Sequence, residues 1–390
     1  MEIKDIIPAN GTHTAIYCEK CQTHTELAYV DFSETVAGVH ISITGLPTLR
    51  CPPCGHEQLV DTSRCSILQL HEDAAKHSVS NKTATWTKWE PDFGFTKVRF
   101  LYDPDDYFCF PGLERPFNIG FLQPVFFKRQ VLFKYDNAPG YRLTFGSTTY
   151  GTIETEQNSI SFGINRHGNV VMWLGDIATL PENEQYYLRS ENVPSDHALG
   201  SEFYDGQIEN VFTPKSKENE LFALRSDFLE KCFKRFGVAI GHLDAEAFDL
   251  AYDFNPPMID TPKERRHVAD TLNKVYLEAL NNGALDKVVN QLGAKSPGSG
   301  SLKRLQTILE AISPSDDVKS LLSPLYVLYD LRVVYSHLTG GTNSTLLESA
   351  TSRLGLLPDA PLADIYAKLL GGLIDTFAGM AKLVEADQPA

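Results

Sequence analysis

The spacing of apolar residues changes along the chain. Between residues 93 and 174, apolar and aromatic residues are dense and are interrupted by turn sequences such as Asn137-Ala-Pro-Gly140. This pattern predicts a β-rich region. After residue 213, apolar residues recur every three or four positions, first over Leu221–Phe236, which predicts amphipathic helices.

The last third of the chain predicts a helical bundle. Thr261-Pro262 is expected to begin a helix, because Thr caps a helix and Pro fits its first turn. That helix is expected to end at Asn282-Gly283. Three more helices are expected at about 302–312, 316–337 and 361–385. Short loops join them, which is typical of a four-helix bundle.

Charge is distributed unevenly. The net charge is −15, yet residues 261–390 hold 13 Lys and Arg against 14 Asp and Glu, so the acidity lies almost wholly in the first 260 residues. An acidic surface repels phosphate, so broad DNA binding is not expected. We expect no signal peptide and no membrane-spanning helix, because the N-terminus lacks a basic stretch followed by an apolar run and no run of about 18 apolar residues occurs.

Four of the seven cysteines form two CxxC pairs, Cys18/Cys21 and Cys51/Cys54. Together they supply four thiolates, the ligand set of a closed, tetrahedral structural zinc site. The 29 residues between Cys21 and Cys51 are enough for a small sheet, so we expect a zinc ribbon. Gly55 follows the second pair and is expected to be left-handed. The alternatives are ordinary buried cysteines, a redox pair, or replacement of one cysteine ligand by a histidine, the candidates being His13, His24 and His56.

The odd number of cysteines and their CxxC pairing favour a reducing compartment over a disulfide framework. We therefore expect a cytoplasmic protein.

An arginine and a histidine lie near the end of the helix predicted at 316–337. Arg332 follows Leu325 by seven positions and Leu328 by four, which predicts that its guanidinium lies on the apolar stripe of the helix. A cation there needs a partner, because burying it alone is costly. His337 precedes a Gly-rich segment and is expected to be accessible at the helix end.

An Arg followed after four residues by His, near the end of a helix in a C-terminal four-helix bundle, resembles the HEPN superfamily. The resemblance covers about residues 261–390, and the motif itself is two fixed residues. It implies a metal-independent endoribonuclease of a bacterial toxin or anti-phage defence system, with RNA as substrate. Arg332 and His337 would be the catalytic pair, assembled where two bundles meet in a homodimer. The family often has a polar residue directly after the Arg, and here it is Val333.

The resemblance also implies a division of roles. His337 would transfer protons while the 2′-hydroxyl of the RNA attacks, and Arg332 would stabilise the charge on the phosphate oxygens. Asp330 or Tyr335 could orient the pair. The structural alternative is that Arg332 pairs with an acid such as Asp330 or Asp375 and that His337 only caps the helix.

The expected fold class is therefore α+β with several domains. We expect a zinc ribbon at 1–65, a β-rich central domain of unknown role at 66–213, a linking helical segment at 214–260 and an HEPN-like bundle at 261–390. Two other functions remain open: a non-catalytic dimerisation or interaction protein, and a zinc-ribbon sensor or regulator. In the central domain a ligand pocket is the less favoured interpretation, against a packed strand followed by a capped helix; its candidate residues are Trp173, Asp176, Glu184, Arg189 and His197.

Overall fold

The computed structural model describes residues 1–7, 16–252, 254–298, 300–314, 317–336 and 342–385, without the side chains of Asp244, Thr342 and Asn343. The chain divides into two compact units, Met1–Pro214 and Lys215–Ala390. The fold is a mixed α+β fold with mainly antiparallel sheets. The segments expected at 1–65 and 66–213 both lie within the first unit.

The described residues of the first unit form two sheets and several mostly short helices. In chain order its elements are α1 (Ile3–Ile6), β1 (Glu26–Val36), β2 (Val39–Arg50), β3 (Glu57–Leu59), α2 (Asp61–His77), β4 (Asn81–Thr85), α3 (Asp105–Phe108), β5 (Pro124–Phe127), α4 (Val131–Asn137), β6 (Arg142–Phe145), β7 (Tyr150–Glu154), β8 (Ser159–Ile164), β9 (Val170–Trp173), α5 (Leu174–Ile177), α6 (Glu182–Glu191), β10 (Asn192–Val193), α7 (Glu202–Tyr204) and the π-helix π1 (Asp205–Glu209).

The sheets have different layouts. In the first, β2 pairs with β1 and β3 in antiparallel fashion and with β4 in parallel. In the second, the described strands run in the order β10-β5-β9-β8-β7-β6, all antiparallel. Every residue of β5 and β9 is buried, which explains their continuous apolar sequences.

The second unit is helical throughout its described residues apart from loops and an isolated bridge. Its elements are α8 (Lys217–Phe236), α9 (Asp244–Tyr252), α10 (Pro262–Asn273), the π-helix π2 (Lys274–Glu278), α11 (Asn282–Gln291), α12 (Ser301–Ile312), α13 (Val318–Ser336), α14 (Thr342–Arg353) and α15 (Leu362–Glu385).

Helix α8 belongs to the packed core of this unit. Its apolar stripe buries Leu221, Phe228 and Cys232, and the ring of Phe228 lies 6.0 Å from that of Phe377 on α15. The segment 214–260, expected to link two domains, therefore contributes a helix to the bundle. The reason is that an amphipathic helix of this length needs a partner for its apolar face.

The helix expected at 261–282 is divided. It changes to a π-turn after Asn273, and a new helix begins at Asn282. The Asn281 side chain accepts a hydrogen bond from the N–H of Ala284, so Asn282-Gly283 begin this new helix, and the prediction that a helix ends there is wrong. Among the described residues, no helix combines the length and apolar character needed to cross a membrane.

Candidate metal centre and candidate active site

The first cysteine pair lies on a tight turn just before β1. The N–H of Cys18 donates to the carbonyl of Thr23 at 2.8 Å, and the N–H of Gln22 donates to the carbonyl of Cys18 at 2.9 Å. The N–H of Lys20 points at the Cys18 sulfur at 3.4 Å. Gln22 has a left-handed backbone, with φ of 58°.

The second pair repeats this geometry in the turn between β2 and β3. The N–H of Cys51 donates to the carbonyl of His56, and the N–H of Gly55 donates to the carbonyl of Cys51, both at 2.8 Å. Gly55 has φ of 69°, which confirms the left-handed conformation predicted for it. Its counterpart in the first turn is Gln22, a non-glycine residue in the same left-handed conformation.

Strand register brings the two turns together. Glu26 at the start of β1 pairs with Arg50 at the end of β2, and Arg50 also pairs with Glu57 of β3. The first turn ends just before Glu26, and the second turn joins Arg50 to Glu57. The hairpin formed by β1 and β2 therefore sets one cysteine pair beside the other.

The four sulfurs form one cluster. The Sγ atoms of Cys18 and Cys54 lie 3.6 Å apart, those of Cys21 and Cys51 3.3 Å apart, and those of Cys21 and Cys54 3.7 Å apart. All four lie within 4.8 Å of one another. A tetrahedral ion with metal–sulfur bonds of about 2.3 Å needs sulfurs about 3.8 Å apart. The four cysteines could therefore hold a metal ion.

The thiols of this cluster differ in acidity. Hydrogen bonds with the side chain and backbone of Thr23 lower the pKa of Cys21 to about 6, whereas burial raises the pKa of Cys51 to about 12. Metal ligation requires thiolates. Cys21 is thus prepared for ligation by its surroundings, whereas Cys51 needs the positive charge of a bound ion to lose its proton near neutral pH.

The histidines considered as ligands have other neighbours. His24 Nε2 lies 2.9 Å from Oδ1 of Asp205 on π1, and the Tyr17 hydroxyl donates to the same carboxylate oxygen. His56 Nε2 lies 3.8 Å from a carboxylate oxygen of Glu19. His13 lies outside the described residues. Asp205 comes 181 residues after His24, so only the folded chain reveals this contact.

Arg332 lies on α13 beside its buried stripe, not within it. Leu325, Leu328 and Leu331 are buried, whereas the Arg332 side chain is 33% exposed. Its Nε lies 3.6 Å from Oδ1 of Asp270 on α10, and its Nη2 lies 3.7 Å from Oε1 of Glu278 on π2. Arg332 is predicted on the apolar stripe, but its side chain lies at the edge of that stripe, partly exposed and close to carboxylates of α10 and π2.

A small polar cluster surrounds this guanidinium. The Ser336 hydroxyl donates to Asp270 Oδ1 at 2.7 Å, and the Asn273 side-chain amide donates to Glu278 Oε1 at 2.8 Å. The Asn273 side-chain oxygen is buried and has no hydrogen-bond partner among the described residues. We call these five residues the Arg332 cluster: Asp270, Asn273, Glu278, Arg332 and Ser336. Glu278 belongs to the π-helix π2, and single π-turns of this kind are often found at functional sites.

The residues expected to orient Arg332 contact other groups. A carboxylate oxygen of Asp330 lies 3.2 Å from Nη1 of Arg353, and the Tyr335 hydroxyl accepts a hydrogen bond from Arg265 at 3.3 Å. Asp375 is exposed on α15. His337, the second residue of the predicted catalytic pair, lies outside the described residues.

The candidate ligand residues of the central region do not converge on one pocket. Trp173, the last residue of β9, is buried, and the Glu184 carboxylate accepts hydrogen bonds from Lys134 at 2.7 Å and from the Tyr141 hydroxyl at 2.7 Å. His197 has a left-handed backbone and its Nδ1 lies 2.7 Å from Oδ1 of the fully buried Asp106. Although burial lowers the pKa of His197, the hydrogen bond and charge of Asp106 outweigh it and raise that pKa above its usual value.

Comparison with protein-family models, with curated proteins and with solved structures found no match to this chain.

Proposed function

We propose that Cys18, Cys21, Cys51 and Cys54 hold one structural zinc ion. The support is the spacing of their sulfurs, together with two turns that repeat the same pair of backbone hydrogen bonds. Four thiolates satisfy zinc completely and leave no position open for a substrate or water. The ion would stabilise the join between β1, β2 and β3 and would take no part in catalysis.

Metal content tests this proposal. We expect the purified protein to contain one zinc ion per chain, and we expect cobalt exchanged into the site to give the thiolate-to-metal absorption of a tetrathiolate centre. Cys54→Ser should lose the stoichiometric metal. Cys65→Ser is the matched control, because Cys65 is also an exposed cysteine and lies outside the cluster. Equal zinc content in both variants would refute the assignment.

We further propose that the helical unit is an HEPN-like, metal-independent endoribonuclease with Arg332 and His337 as its catalytic pair. One observation carries this proposal: the Arg332 guanidinium is partly exposed and only loosely paired. Its carboxylate contacts are 3.6 and 3.7 Å long, against 2.6 Å for Arg265 with Asp260 and 2.8 Å for Arg304 with Asp286. A loosely paired guanidinium keeps donors free to bind a phosphate.

The proposed chemistry needs no cofactor. The 2′-hydroxyl of the RNA attacks the adjacent phosphorus, and the bond to the 5′ oxygen of the next nucleotide breaks. His337 moves a proton in this step, and Arg332 binds the phosphate oxygens as negative charge builds on them. The products are a 2′,3′-cyclic phosphate and a 5′-hydroxyl. A pair from each of two chains would line the shared cleft of a homodimer.

A second function is favoured by the same cluster. Asp270 contacts both Arg332 and Ser336, so these residues could simply fasten α10 to α13. The helical unit would then serve dimerisation or protein interaction without cleaving RNA. The two functions differ in what the removal of Arg332 would do: it abolishes activity in one case and only weakens the fold in the other.

Substitution separates these functions. We expect Arg332→Ala and His337→Ala each to reduce cleavage of a labelled RNA, measured with EDTA present, by about 100-fold or more while the melting temperature changes little. Arg353→Ala is the matched control, because Arg353 has the same exposed fraction of 33% and also contacts a carboxylate of a neighbouring helix, Asp330 on α13. Cleavage at the wild-type rate by either of the first two variants would exclude the nuclease. Loss of folding in Arg332→Ala with no cleavage by the wild type would favour the structural role.

A further inference from the structure

A cavity opens beside the second sheet of the first unit. Its volume is about 360 Å³, which lies within the range of roughly 300–1,000 Å³ typical of small-molecule sites. The loop between α4 and β6, the turn between β7 and β8 and the first turn of α6 all contribute to its lining. Of the candidate ligand residues of the central region, Glu184 lines this cavity.

Much of the lining is apolar or aromatic. Ile153 of β7 and Ile160 of β8 are partners in the strand register, and Leu180 before α6 adds another apolar side chain. The rings of Tyr135 and Tyr141 lie 5.1 Å apart, edge to face. Tyr135 is buried and Tyr141 is half-buried, so Tyr141 presents the ring that a ligand can reach. Such a lining favours a flat aromatic ligand, because its ring can stack on tyrosine and gains from apolar contact.

The charge inside the cavity is already compensated. The Glu184 carboxylate accepts hydrogen bonds from Lys134 Nζ at 2.7 and 2.8 Å and from the Tyr141 hydroxyl at 2.7 Å. Although burial acts to raise the pKa of Glu184, the hydrogen bonds from Lys134 and Tyr141 outweigh it and lower that pKa. None of the described lining residues is a lysine, arginine or histidine, and the other acid among them, Glu156, is exposed. The cavity therefore favours an uncharged ligand, since a buried ligand charge would have no partner.

Asn158 places a carboxamide at the cavity. It lies in the turn between β7 and β8, where its N–H and that of Gln157 both donate to Thr155 Oγ1, at 2.9 and 3.2 Å. The N–H of Thr155 donates to the carbonyl of Asn158 at 2.8 Å. These bonds fix the backbone of the turn, whereas the Asn158 side-chain amide has no hydrogen-bond partner among the described residues. A carboxamide offers donors and an acceptor side by side.

We propose that this cavity binds an uncharged adenine derivative such as adenosine. The adenine ring stacks on Tyr141 and contacts the apolar lining. The Asn158 carboxamide donates to N7 of the ring and accepts from the 6-amino group, the paired contact that suits adenine. Guanine presents two acceptors at the same edge, which suits arginine or lysine instead. This binding belongs to the first unit and depends neither on the proposed nuclease nor on the proposed zinc ion.

Two other ligand classes fit the lining less well. A phosphate group would find no basic side chain among the described lining residues and would lie near the carboxylate of Glu156. A sugar carries several hydroxyls, and burying them against Ile153, Ile160 and Leu180 would leave them without hydrogen bonds. Charge and hydrogen bonding therefore both favour the heterocycle.

Isothermal titration of the full-length protein tests the ligand class. The probes are adenosine, guanosine, adenosine monophosphate and ribose. We expect adenosine to bind at least about tenfold more tightly than guanosine, because the guanine edge leaves the Asn158 donor and acceptor mismatched. Adenosine monophosphate should bind more weakly than adenosine, and ribose should give no measurable heat.

Substitutions locate the site. Tyr141→Leu should weaken adenosine binding about tenfold or more through the loss of stacking, whereas Tyr141→Phe keeps the ring and should retain most of the affinity. Asn158→Ala should remove the preference for adenosine over guanosine. Tyr186→Leu is the matched control, because Tyr186 is an exposed tyrosine of α6 that does not line the cavity. Glu156→Gln should leave adenosine binding unchanged and strengthen binding of adenosine monophosphate.

The proposal fails if guanosine binds as tightly as adenosine, or if neither nucleoside binds. It also fails if Tyr141→Leu and Asn158→Ala both bind adenosine as the wild type does, since the site would then lie elsewhere. Tighter binding of ribose or of adenosine monophosphate than of adenosine would assign the cavity to a sugar or to a phosphate-bearing ligand.

Discussion

At the scale of single residues, Gln22 and Gly55 occupy equivalent positions in the two cysteine turns but differ in residue type. Each lies four positions after the first cysteine of its pair, and each donates its N–H to that cysteine's carbonyl. Both have a left-handed backbone, with φ of 58° and 69°. Glycine adopts this conformation freely, whereas a residue with a Cβ does so at a cost of about 1 kcal/mol.

We therefore expect Gln22→Gly to stabilise the first unit by about 0.5–1 kcal/mol, measured by denaturant unfolding of the metal-loaded protein. The Gln22 side chain is exposed, so little packing is lost. The matched experiment is Gly55→Gln, which should destabilise by a similar amount. A Cβ at Gly55 would meet no atom within 4 Å, so the change there is conformational and not steric. If both substitutions shift stability in the same direction, the explanation from backbone conformation fails.

How well a residue could be predicted depends on how local its partners are. The two cysteine pairs were predictable because each turn is contained within six residues, and the spacing alone indicates a ligand set. The partners of Arg332 were not, because Asp270 and Glu278 precede it by more than fifty positions on another helix. Periodicity alone predicts Arg332 on the buried stripe, whereas its side chain is partly exposed at the edge of that stripe.

At the scale of helices, Asp260 connects the beginnings of α10 and α15. Its carboxylate accepts hydrogen bonds from Arg265 at 2.6 and 2.7 Å and from the N–H of Leu362 at 2.9 Å. The hydrogen bond from Arg265 is the main cause that lowers the pKa of Asp260, and the one from Leu362 adds to it. Burial opposes this change. One side chain thus joins two helix starts that are about one hundred residues apart in sequence.

This arrangement predicts a pH-dependent contribution to stability. Because the pKa of Asp260 is lower in the folded protein than in the unfolded chain, its contribution is complete above the unfolded value of about 3.9 and is lost as pH falls through the folded value. Asp260 is 39% exposed, so solvent screening limits the contribution, and we expect Asp260→Asn to cost about 1 kcal/mol at pH 7. The difference in unfolding free energy between Asp260→Asn and the wild type should vanish at acid pH, below the folded-state pKa of Asp260.

Asp359→Asn is the control for this substitution, because Asp359 is an exposed acid in the loop before α15, close in sequence to Leu362. Its unfolding free energy should follow the wild type across the pH range. A constant deficit for Asp260→Asn at all pH values would mean that the side chain acts through shape and not through its charge.

Helices were predicted best where their periodicity was long and unbroken. The last helix was expected at 361–385 and occurs as Leu362–Glu385. The sequence pattern does not predict helix α11, because Asn-Gly is typical of a helix end, whereas here Asn281 caps the helix that follows. The pattern does not predict the π-turn π2 either. It buries Val275, Tyr276 and Leu277 in succession, a pattern that neither helical nor strand periodicity predicts.

At the scale of the whole molecule, two compact units have their own apolar clusters. One cluster lies within residues 221–384 of the second unit, and another lies within residues 6–67 of the first. All three tryptophans, Trp86, Trp89 and Trp173, belong to the first unit. The described residues of the second unit contain most of the long helices. Tryptophan fluorescence therefore reports unfolding of the first unit, and far-ultraviolet circular dichroism reports mainly the second.

This division predicts a selective effect of metal removal. The four cysteines lie where β1, β2 and β3 meet, and structural metal ions contribute directly to the free energy of folding. We expect a thiol-competing chelator to lower the denaturant midpoint of the transition seen by tryptophan fluorescence. The loss corresponds to several kcal/mol in the free energy of unfolding of the first unit. The midpoint of the helical transition should stay unchanged.

Cys54→Ser should behave like the chelated wild type, and the chelator should then have no further effect. Equal shifts of both transitions would show that the units unfold together, and the absence of any shift would show that the bound metal contributes nothing to the fold.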